Sequence, residues 1–231
     1  MSISVQITAP TPAFIFDLDG TLIDSLYPHV LAWKQAFEDD GMEVSGWRIH
    51  RRIGMSGDLF VRAIFRELDR PIDDATTERI QKRHGDLFQD VKDQVRPIPG
   101  ARELLHALTE AGAPWAIATS GHIRSASHGL AMLGILDGPA PIVTRDLVKF
   151  AKPDPDLFLA AAQKLDVPIE RAFVIGDSVW DMLAAGRVHA LGIGVRCGGN
   201  GEDELKAAGA YRIFDDPAEI LAHLDELGVH R

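Results

Sequence analysis

The sequence is poor in cysteine, in basic residues and in long apolar runs, and each shortage excludes a class of protein. Its single cysteine, Cys197, forms neither an intrachain disulfide nor a multi-cysteine zinc site, and this usage favours a reducing cytosol. The 24 basic residues against 34 acidic ones give a net charge of −10, which argues against nonspecific nucleic-acid binding. No apolar run approaches the roughly 20 residues of a transmembrane helix. We also see no signal peptide, so we expect a cytoplasmic protein that binds neither nucleic acid nor membrane.

Five short apolar runs predict strands, and each run ends in polar or glycine residues. They lie at 13–16, 115–119, 141–143, 172–175 and 191–195. A continuous apolar run suits a strand that is covered on both faces, as in a parallel sheet. Amphipathic helical patterns lie between these runs, at 101–111, 156–165 and 179–189. The alternation predicts an α/β fold with a doubly wound parallel sheet, whose ligands bind beyond the carboxyl ends of the strands.

The alternation is interrupted after the first strand. Helical patterns at 28–39, 58–68 and 76–91 follow one another without clear strands between them, and Pro97 to Gly100 marks the return to the α/β part. We therefore predict two domains: an α/β core of residues 1–24 and 96–231, and a helical cap of residues 25–95. An insertion beside a polar strand end is typical of a lid, although a purely structural role is the alternative.

The most informative segment is DLDGTL at 17–22, where two acids follow the first strand. A carboxylate at a strand end can act as a nucleophile toward phosphorus, which suits Asp17. A second carboxylate nearby, Asp19, can protonate the leaving group and then deprotonate water. Gly20 permits a tight turn close to a ligand. The alternative is a solvated, capped turn.

Three further segments carry candidate groups. In GDSVWD at 176–181, the carboxylates of Asp177 and Asp181 suit Mg²⁺, unless they only cap or flank a helix. Ser120 and Gly121 follow the second long strand and can hold a phosphate at a helix N-terminus, although Ser120 also suits a plain N-cap. Lys152, which precedes two prolines in KPDP at 152–155, can neutralise phosphate, while most lone lysines are simply solvated.

Taken in order, DLDGTL, TSG at 119–121, KPDP at 152–155 and GDSVWD closely resemble the haloacid dehalogenase superfamily. The position and helical content of the insertion resemble the phosphoglycolate phosphatase and β-phosphoglucomutase branch. The resemblance implies Asp17 as nucleophile and Asp19 as general acid/base, with the phosphoryl group held by Ser120, the Gly121 amide and Lys152. It also implies Mg²⁺ as cofactor. The implied metal ligands are the carboxylates of Asp17 and Asp177 and the backbone carbonyl of Asp19, and Asp181 supports the metal through water or through a bond to one of its ligands.

Asp19 favours a phosphatase, because haloacid dehalogenases lack an acid at that position. The resemblance implies that His29 contacts Asp19 and that a cap loop helps to select the substrate. In that loop Arg51, Arg52 and Ser56 are the candidates, with a solvated helix face as the alternative for the arginines. We expect hydrolysis of a small phosphomonoester metabolite. A sugar-phosphate mutase is the first alternative, but a mutase has an arginine where this chain has Gly57. A non-catalytic binding protein is the second.

Overall fold

The computed structural model describes residues 11–230, and its elements alternate between strand and helix outside one interruption. The strands are β1 Ala13–Phe16, β2 Ile23–Asp24, β3 Arg96–Pro97, β4 Trp115–Ala118, β5 Ile142–Val143, β6 Ala172–Gly176, β7 Leu191–Val195 and β8 Ala210–Phe214. The α-helices are α1 Leu26–Asp39, α2 Gly46–His50, α3 Gly57–Glu67, α4 Asp74–Val91, α5 Ala101–Glu110, α6 Ile123–Leu133, α7 Asp156–Leu165, α8 Val179–Arg187, α9 Glu202–Ala207 and α10 Pro217–Ala222.

Six strands form one parallel sheet in the order β5-β4-β1-β6-β7-β8, which confirms the predicted α/β fold. All five strands expected from apolar runs are present. The edge strand β8 was missed, because Tyr211 and Arg212 are exposed and break the apolar run. The helices α2, α6, α9 and α10 were also not predicted from the hydrophobic pattern.

The two faces of the sheet carry separate hydrophobic clusters, and β1 shows why. Phe14 and Phe16 point into one cluster, with α5, α6 and α10, while Ala13 and Ile15 point into the other, with α7 and α8. Alternate side chains of a strand face opposite sides of the sheet, so a central strand needs apolar residues throughout. All four residues of β1 are at most 1% exposed.

The interruption consists of helices α1 to α4, which we call the helical insertion. These helices pack around an aromatic and aliphatic cluster of their own, which includes Trp33, Phe37, Phe60 and Ile64. The chain enters the insertion through β2 and leaves it through β3, and these two short strands pair with each other in antiparallel fashion. The chain therefore connects the insertion to the rest of the protein through one two-stranded neck. Across residues 11–230, no helix is both long enough and apolar enough to cross a bilayer.

The order of the strands fixes where a ligand can bind. The chain runs from β1 outward to β4 and β5 on one side, then crosses back to β6 on the other side of β1. The connections above β1 therefore diverge, and such a switch point leaves a crevice at the carboxyl ends of the strands. The segments that follow β1, β4 and β6 are those that carry Asp17, Ser120 and Asp177.

Candidate active site

Three carboxylates and one ammonium group meet at the carboxyl end of β1. The Nζ atom of Lys152 lies 2.5 Å from Oδ1 of Asp17 and 2.8 Å from Oδ1 of Asp181. Asp177, from the end of β6, completes the group. One carboxylate oxygen each from Asp17, Asp177 and Asp181 lies within 4.8 Å of the others. All four side chains are buried, so their charges interact far more strongly than on the surface.

Burial and mutual repulsion shift the pKa values of these acids. Burial raises the pKa of Asp17 to about 7, with Lys152 opposing the rise and Asp181 reinforcing it. Burial and the charges of Asp181 and Asp17 also hold the pKa of Asp177 well above its ordinary value. Burial lowers the pKa of Lys152, but Asp17 and Asp181 outweigh it, so that the ammonium stays charged. Three acids around one lysine leave surplus negative charge that a divalent cation would neutralise.

The donor set fits such a cation. The oxygens are hard ligands, and Asp177 is oriented by the Thr21 hydroxyl, which donates to its Oδ1 at 3.2 Å. Gly198 allows this approach, since a Cβ there would lie 1.9 Å from Oδ2 of Asp177. Both oxygens of Asp181 are engaged, Oδ1 by Lys152 and Oδ2 by the Ser178 amide and hydroxyl. Asp17 and Asp177 therefore keep more free carboxylate oxygen for a divalent metal than Asp181, whose oxygens contact Lys152 and Ser178.

For Asp181 the sequence left two alternatives open, a carboxylate in a metal site and a residue that only caps a helix, and the structure shows features of both. Ser178 does cap helix α8, in a capping box in which it and Asp181 exchange hydrogen bonds. Asp181 is nevertheless fully buried against Lys152, whereas the capping alternative placed it at the surface. Asp177 lies just before the start of α8, next to Ser178, so the capping box that Ser178 and Asp181 form keeps the two acids close together. A structural cap and a charge cluster therefore use the same carboxylate.

Asp19 lies beside this cluster but has different partners. Ser25 donates its hydroxyl to Oδ1 of Asp19 at 2.6 Å, and Nε2 of His29 lies 3.5 Å from the same oxygen. Burial raises the pKa of Asp19, but the contact with His29 and the Ser25 hydroxyl outweigh burial and hold it below the ordinary value. Two acids two residues apart therefore differ in acidity, which is typical of pairs with different chemical roles.

The predicted phosphate-binding residues lie opposite these acids. The Ser120 hydroxyl donates to the carbonyl of Gly54 at 2.9 Å, and the Gly121 amide donates to the Thr119 hydroxyl at 3.0 Å. Thr119 Oγ1 in turn lies 3.5 Å from Oδ2 of Asp19. Ser120 and Gly121 both line the central cavity, as do Asp17 and Asp19. Lys152, the third residue predicted to bind phosphate, is fully buried against Asp17 and is not among the residues that line the cavity.

A cavity of about 400 Å³ separates the carboxyl ends of the strands from the helical insertion. The core side contributes Asp17, Asp19 and Ser120, while the insertion contributes Trp33, Phe60 and Gln81. The volume is in the range of pockets for small molecules, and both sides of the cavity supply polar groups. The site can therefore enclose a small ligand between a floor that holds buried acids and a roof, on the insertion, in which aromatic side chains lie among polar and basic ones such as Arg52 and Lys82.

The four residues expected to select the substrate occupy different places. His29 and Arg52 line the cavity, and Arg52 forms an ion pair with Glu67. Arg51 is not among the cavity-lining residues, because its guanidinium turns outward to form a two-point ion pair with Glu204 on α9. Ser56 is buried and is not among the cavity-lining residues. Its backbone amide donates to the Lys152 carbonyl at 2.9 Å.

Sequence reasoning missed several residues that shape the site. Thr21 and Ser25 are each close in sequence to a motif acid, so their hydroxyls could have been foreseen as partners. Gly198 approaches Asp177 from a loop after β7, and His84 reaches the cavity from α4. Neither of these two carries a local signal, since only the folded sheet and the packed helices bring them to the site.

Comparisons with known proteins agree with this geometry. The profile of the family described as haloacid dehalogenase-like hydrolase matches residues 11–189. The crystal structure of a hydrolase from Pseudomonas syringae superposes with a TM-score of 0.91 at 47% identity, over 93% of this chain and 98% of that one. Hexitol phosphatase A of Escherichia coli is 35% identical over 78% of this chain and 82% of its own length. β-Phosphoglucomutase of Bacillus subtilis is 29% identical over 91% and 93%. The chain is therefore an enzyme of the haloacid dehalogenase-like hydrolase family.

Proposed function

We propose that the enzyme hydrolyses a small phosphomonoester metabolite through an aspartyl-phosphate on Asp17, with Mg²⁺ as cofactor. The observation that carries the proposal is the separation of the acids. Asp17 is held by Lys152 at 2.5 Å on the floor of the cavity, while Asp19 has its own partners beside it. The relatives named as phosphatases support the class of substrate.

In the first half-reaction, Asp17 attacks the phosphorus of the bound ester. A bond forms between a carboxylate oxygen and phosphorus as the bond from phosphorus to the leaving oxygen breaks, and Asp19 gives that oxygen a proton. The Ser120 hydroxyl and the Gly121 amide donate hydrogen bonds to the phosphoryl oxygens, once they exchange their present partners for substrate. The products are an aspartyl-phosphate and an alcohol.

In the second half-reaction, water attacks the phosphorus of the aspartyl-phosphate. Asp19, now ionised, takes a proton from this water, the acyl–phosphate bond breaks, and Asp17 is regenerated with release of inorganic phosphate. The lowered pKa of Asp19 means that this acid is ionised when the cavity is empty. Asp19 therefore releases to solvent the proton that it took from water, and it regains one, from solvent or from the bound phosphate monoanion, before it acts as the acid of the next cycle.

Asp17, Asp177 and the backbone carbonyl of Asp19 would hold the metal, with Asp181 as support. When bound, Mg²⁺ supplies positive charge that offsets the negative charge of the phosphoryl group. Lys152 does the same from the protein side. It stays protonated between Asp17 and Asp181, so it screens the nucleophile from the approaching anion.

The enzyme is expected to turn over p-nitrophenyl phosphate, and to do so only with a divalent metal. The assay compares release of p-nitrophenol with added Mg²⁺ and after treatment with a chelator. A panel of phosphorylated metabolites then ranks natural substrates. Absence of turnover in every condition would contradict the proposed phosphatase activity.

Binding of Mg²⁺ is expected to be tighter at pH 8 than at pH 6. An ordinary carboxyl, with a pKa of about 3.9, is fully ionised at both pH values. Burial raises the pKa of Asp17 to about 7 and that of Asp177 well above its ordinary value, so protons compete with the metal in this range. Calorimetric titration at both pH values, in two buffers of different ionisation enthalpy, measures affinity and proton release. Equal affinity without proton release would contradict the prediction.

We further propose that residues 25–95 form a cap domain that opens and closes over the core. Contacts between the two parts support this proposal: Arg51 pairs with Glu204, and Nε2 of His50 lies 3.2 Å from the Gly198 carbonyl. The two-stranded neck at β2 and β3 gives the insertion a natural hinge. The arrangement described here is the closed one, since Gly54 also accepts from Ser120 across the cavity.

Glu204→Gln is expected to weaken this closed arrangement slightly. The ion pair with Arg51 is partly exposed, and such pairs contribute up to about 1 kcal/mol, so we expect KM to rise by no more than about fivefold. Steady-state kinetics at low and high salt measure the effect, which salt should reduce. Glu226→Gln, which removes a similar exposed pair with Arg212 within the core, is the matched control. Equal changes in both variants would contradict the closing role.

A sugar-phosphate mutase remains the first alternative. A mutase must grip a second phosphate, which the resemblance assigns to an arginine at the position of Gly57. Here Gly57 lies against Gln81, whose Oε1 would be 3.1 Å from an added Cβ. A small residue at this place supports the phosphatase over the mutase.

A further inference from the structure

His29 lies between two groups, and its second partner has no role in the reaction described above. Nε2 of His29 lies 3.5 Å from Oδ1 of Asp19, and Nδ1 of the same ring lies 3.0 Å from Nε2 of His84. His29 comes from α1, whereas His84 comes from α4 and lines the cavity. The three side chains form a continuous line from the helical insertion to the general acid/base.

The chemistry of the two partners fixes where His29 carries its proton. An ionised carboxylate only accepts hydrogen bonds, so Nε2 of His29 must bear hydrogen to bind Asp19. When His29 is neutral, its Nδ1 is bare and accepts from Nε2–H of His84. When His29 is charged, its Nδ1–H donates to a bare Nε2 of His84. In both states His84 provides the complementary group, so Nε2–H of His29 stays directed at Asp19.

Ring stacking holds both imidazoles in place. His84 stacks on Trp33 at 3.8 Å between centroids and 6° between planes, and His29 stacks on Phe88 at 3.8 Å and 2°. His29 and Trp33 are four residues apart on α1, and His84 and Phe88 are four apart on α4, so each helix supplies one ring to each stack. Neither imidazole can turn away without breaking a stacked pair.

The charge state of His84 suits it as the hydrogen-bond partner of Nδ1 of His29. Burial lowers the pKa of His84 well below its ordinary value, and the nearby His29 and His122 add to the effect. His84 is therefore neutral at neutral pH. A neutral ring at this place can either donate or accept from one nitrogen, whereas a cation could only donate.

We propose that His84 is a positioning residue for proton transfer: it holds His29 in the tautomer whose Nε2–H is directed at Asp19. This proposal rests on the proposed function, in which Asp19 is the general acid/base. His84 acts through His29 and does not touch the reacting atoms. Its loss should therefore affect the step that needs leaving-group protonation, and should leave substrate binding largely intact.

Two variants separate the hydrogen bond from the ring. His84→Phe keeps an aromatic ring against Trp33 but removes the nitrogen, while His84→Gln keeps a nitrogen at the end of a side chain of similar length. For His84→Phe we expect kcat on an alkyl phosphate to fall by about tenfold or more, a part of the 10²–10⁴ that general acid catalysis provides. The loss on p-nitrophenyl phosphate should be at least fivefold smaller, and KM should change little. His84→Gln should recover most of the loss. His106→Phe, at an exposed position on α5, is the control.

A second measurement does not depend on turnover. Nitrogen-15 NMR of protein whose histidine rings are labelled with nitrogen-15 reports the tautomer of each imidazole. In the wild-type protein neutral His29 should carry its proton on Nε2, and in His84→Phe the two tautomers should mix. A wild-type His29 with its proton on Nδ1 would overturn the proposal even if His84→Phe did not fold. Equal losses on both substrates, a rise in KM alone, or no recovery in His84→Gln would also overturn it. If instead Asp17 proves dispensable, the proposed function fails while the tautomer result stands.

Discussion

Asp17→Asn is expected to reduce kcat on all phosphomonoesters by about 10⁴-fold or more, the scale of losses when an essential nucleophile is removed. An amide nitrogen or oxygen at this place cannot form the acyl-phosphate, so the first half-reaction has no route. The fold should persist, because Asn has nearly the same shape as Asp and the ammonium of Lys152 keeps its contact with Asp181.

Single-turnover and steady-state assays with p-nitrophenyl phosphate measure the loss, and circular dichroism with a thermal melt checks the fold. Asp215→Asn is the matched control, since it makes the same chemical change at an exposed position paired with Arg196. Trapping of a phosphorylated protein in the wild type and its absence in Asp17→Asn would locate the intermediate. Retention of near wild-type hydrolysis by Asp17→Asn would show that the assignment of the nucleophile is wrong.

Asp19→Ala is expected to slow the enzyme in a manner that depends on the leaving group. General acid catalysis contributes about 10²–10⁴-fold where the leaving oxygen needs a proton. An alkoxide is a poor leaving group, so alkyl phosphates should lose activity in that range. p-Nitrophenolate leaves without a proton, so the first half-reaction with p-nitrophenyl phosphate should be far less affected. Asp17 should still become phosphorylated by that substrate.

The measurement is the burst of p-nitrophenol together with steady-state rates for a series of esters of decreasing leaving-group acidity. In the variant the rates should depend more steeply on leaving-group pKa than in the wild type. Asp225→Ala provides the control, because it makes the same change at an exposed acid outside the neck and outside the cavity. A uniform loss across the series would mean that Asp19 does not protonate the leaving group.

The floor of the site could be predicted from sequence because its signals are local. Asp17 directly follows a strand whose apolar run has no polar interruption, and a buried parallel strand must end at the ligand-binding edge. The same logic applies to Asp177 at the end of β6. The chemistry at these positions depends on the type of residue and on which strands are neighbours in the sheet. Both can be inferred when the motifs occur along the chain in the order typical of the family.

The roof could not be predicted in the same way. Arg51 and Arg52 are adjacent, and sequence alone does not tell which guanidinium meets Glu204 and which lines the cavity. His84 lies in an amphipathic helix where a histidine is unremarkable, and its partner His29 is 55 residues away. Such pairs depend on the rotation of one packed helix against another, which a hydrophobic pattern fixes only roughly.

The position of β1 at the centre of the sheet has a consequence for synthesis on the ribosome. Phe14 pairs with Trp115 on one side and with Phe173 on the other. The strand that precedes Asp17 therefore emerges early but has no partner strand in the sheet until the helical insertion and α5 have been made. The insertion, whose contacts are local in sequence, can fold before the partner strands of β1 have been synthesised. Asp17 meets Asp177 only after about three-quarters of the chain exists, so a nascent chain that stops before β6 can form helices but not the complete acidic cluster.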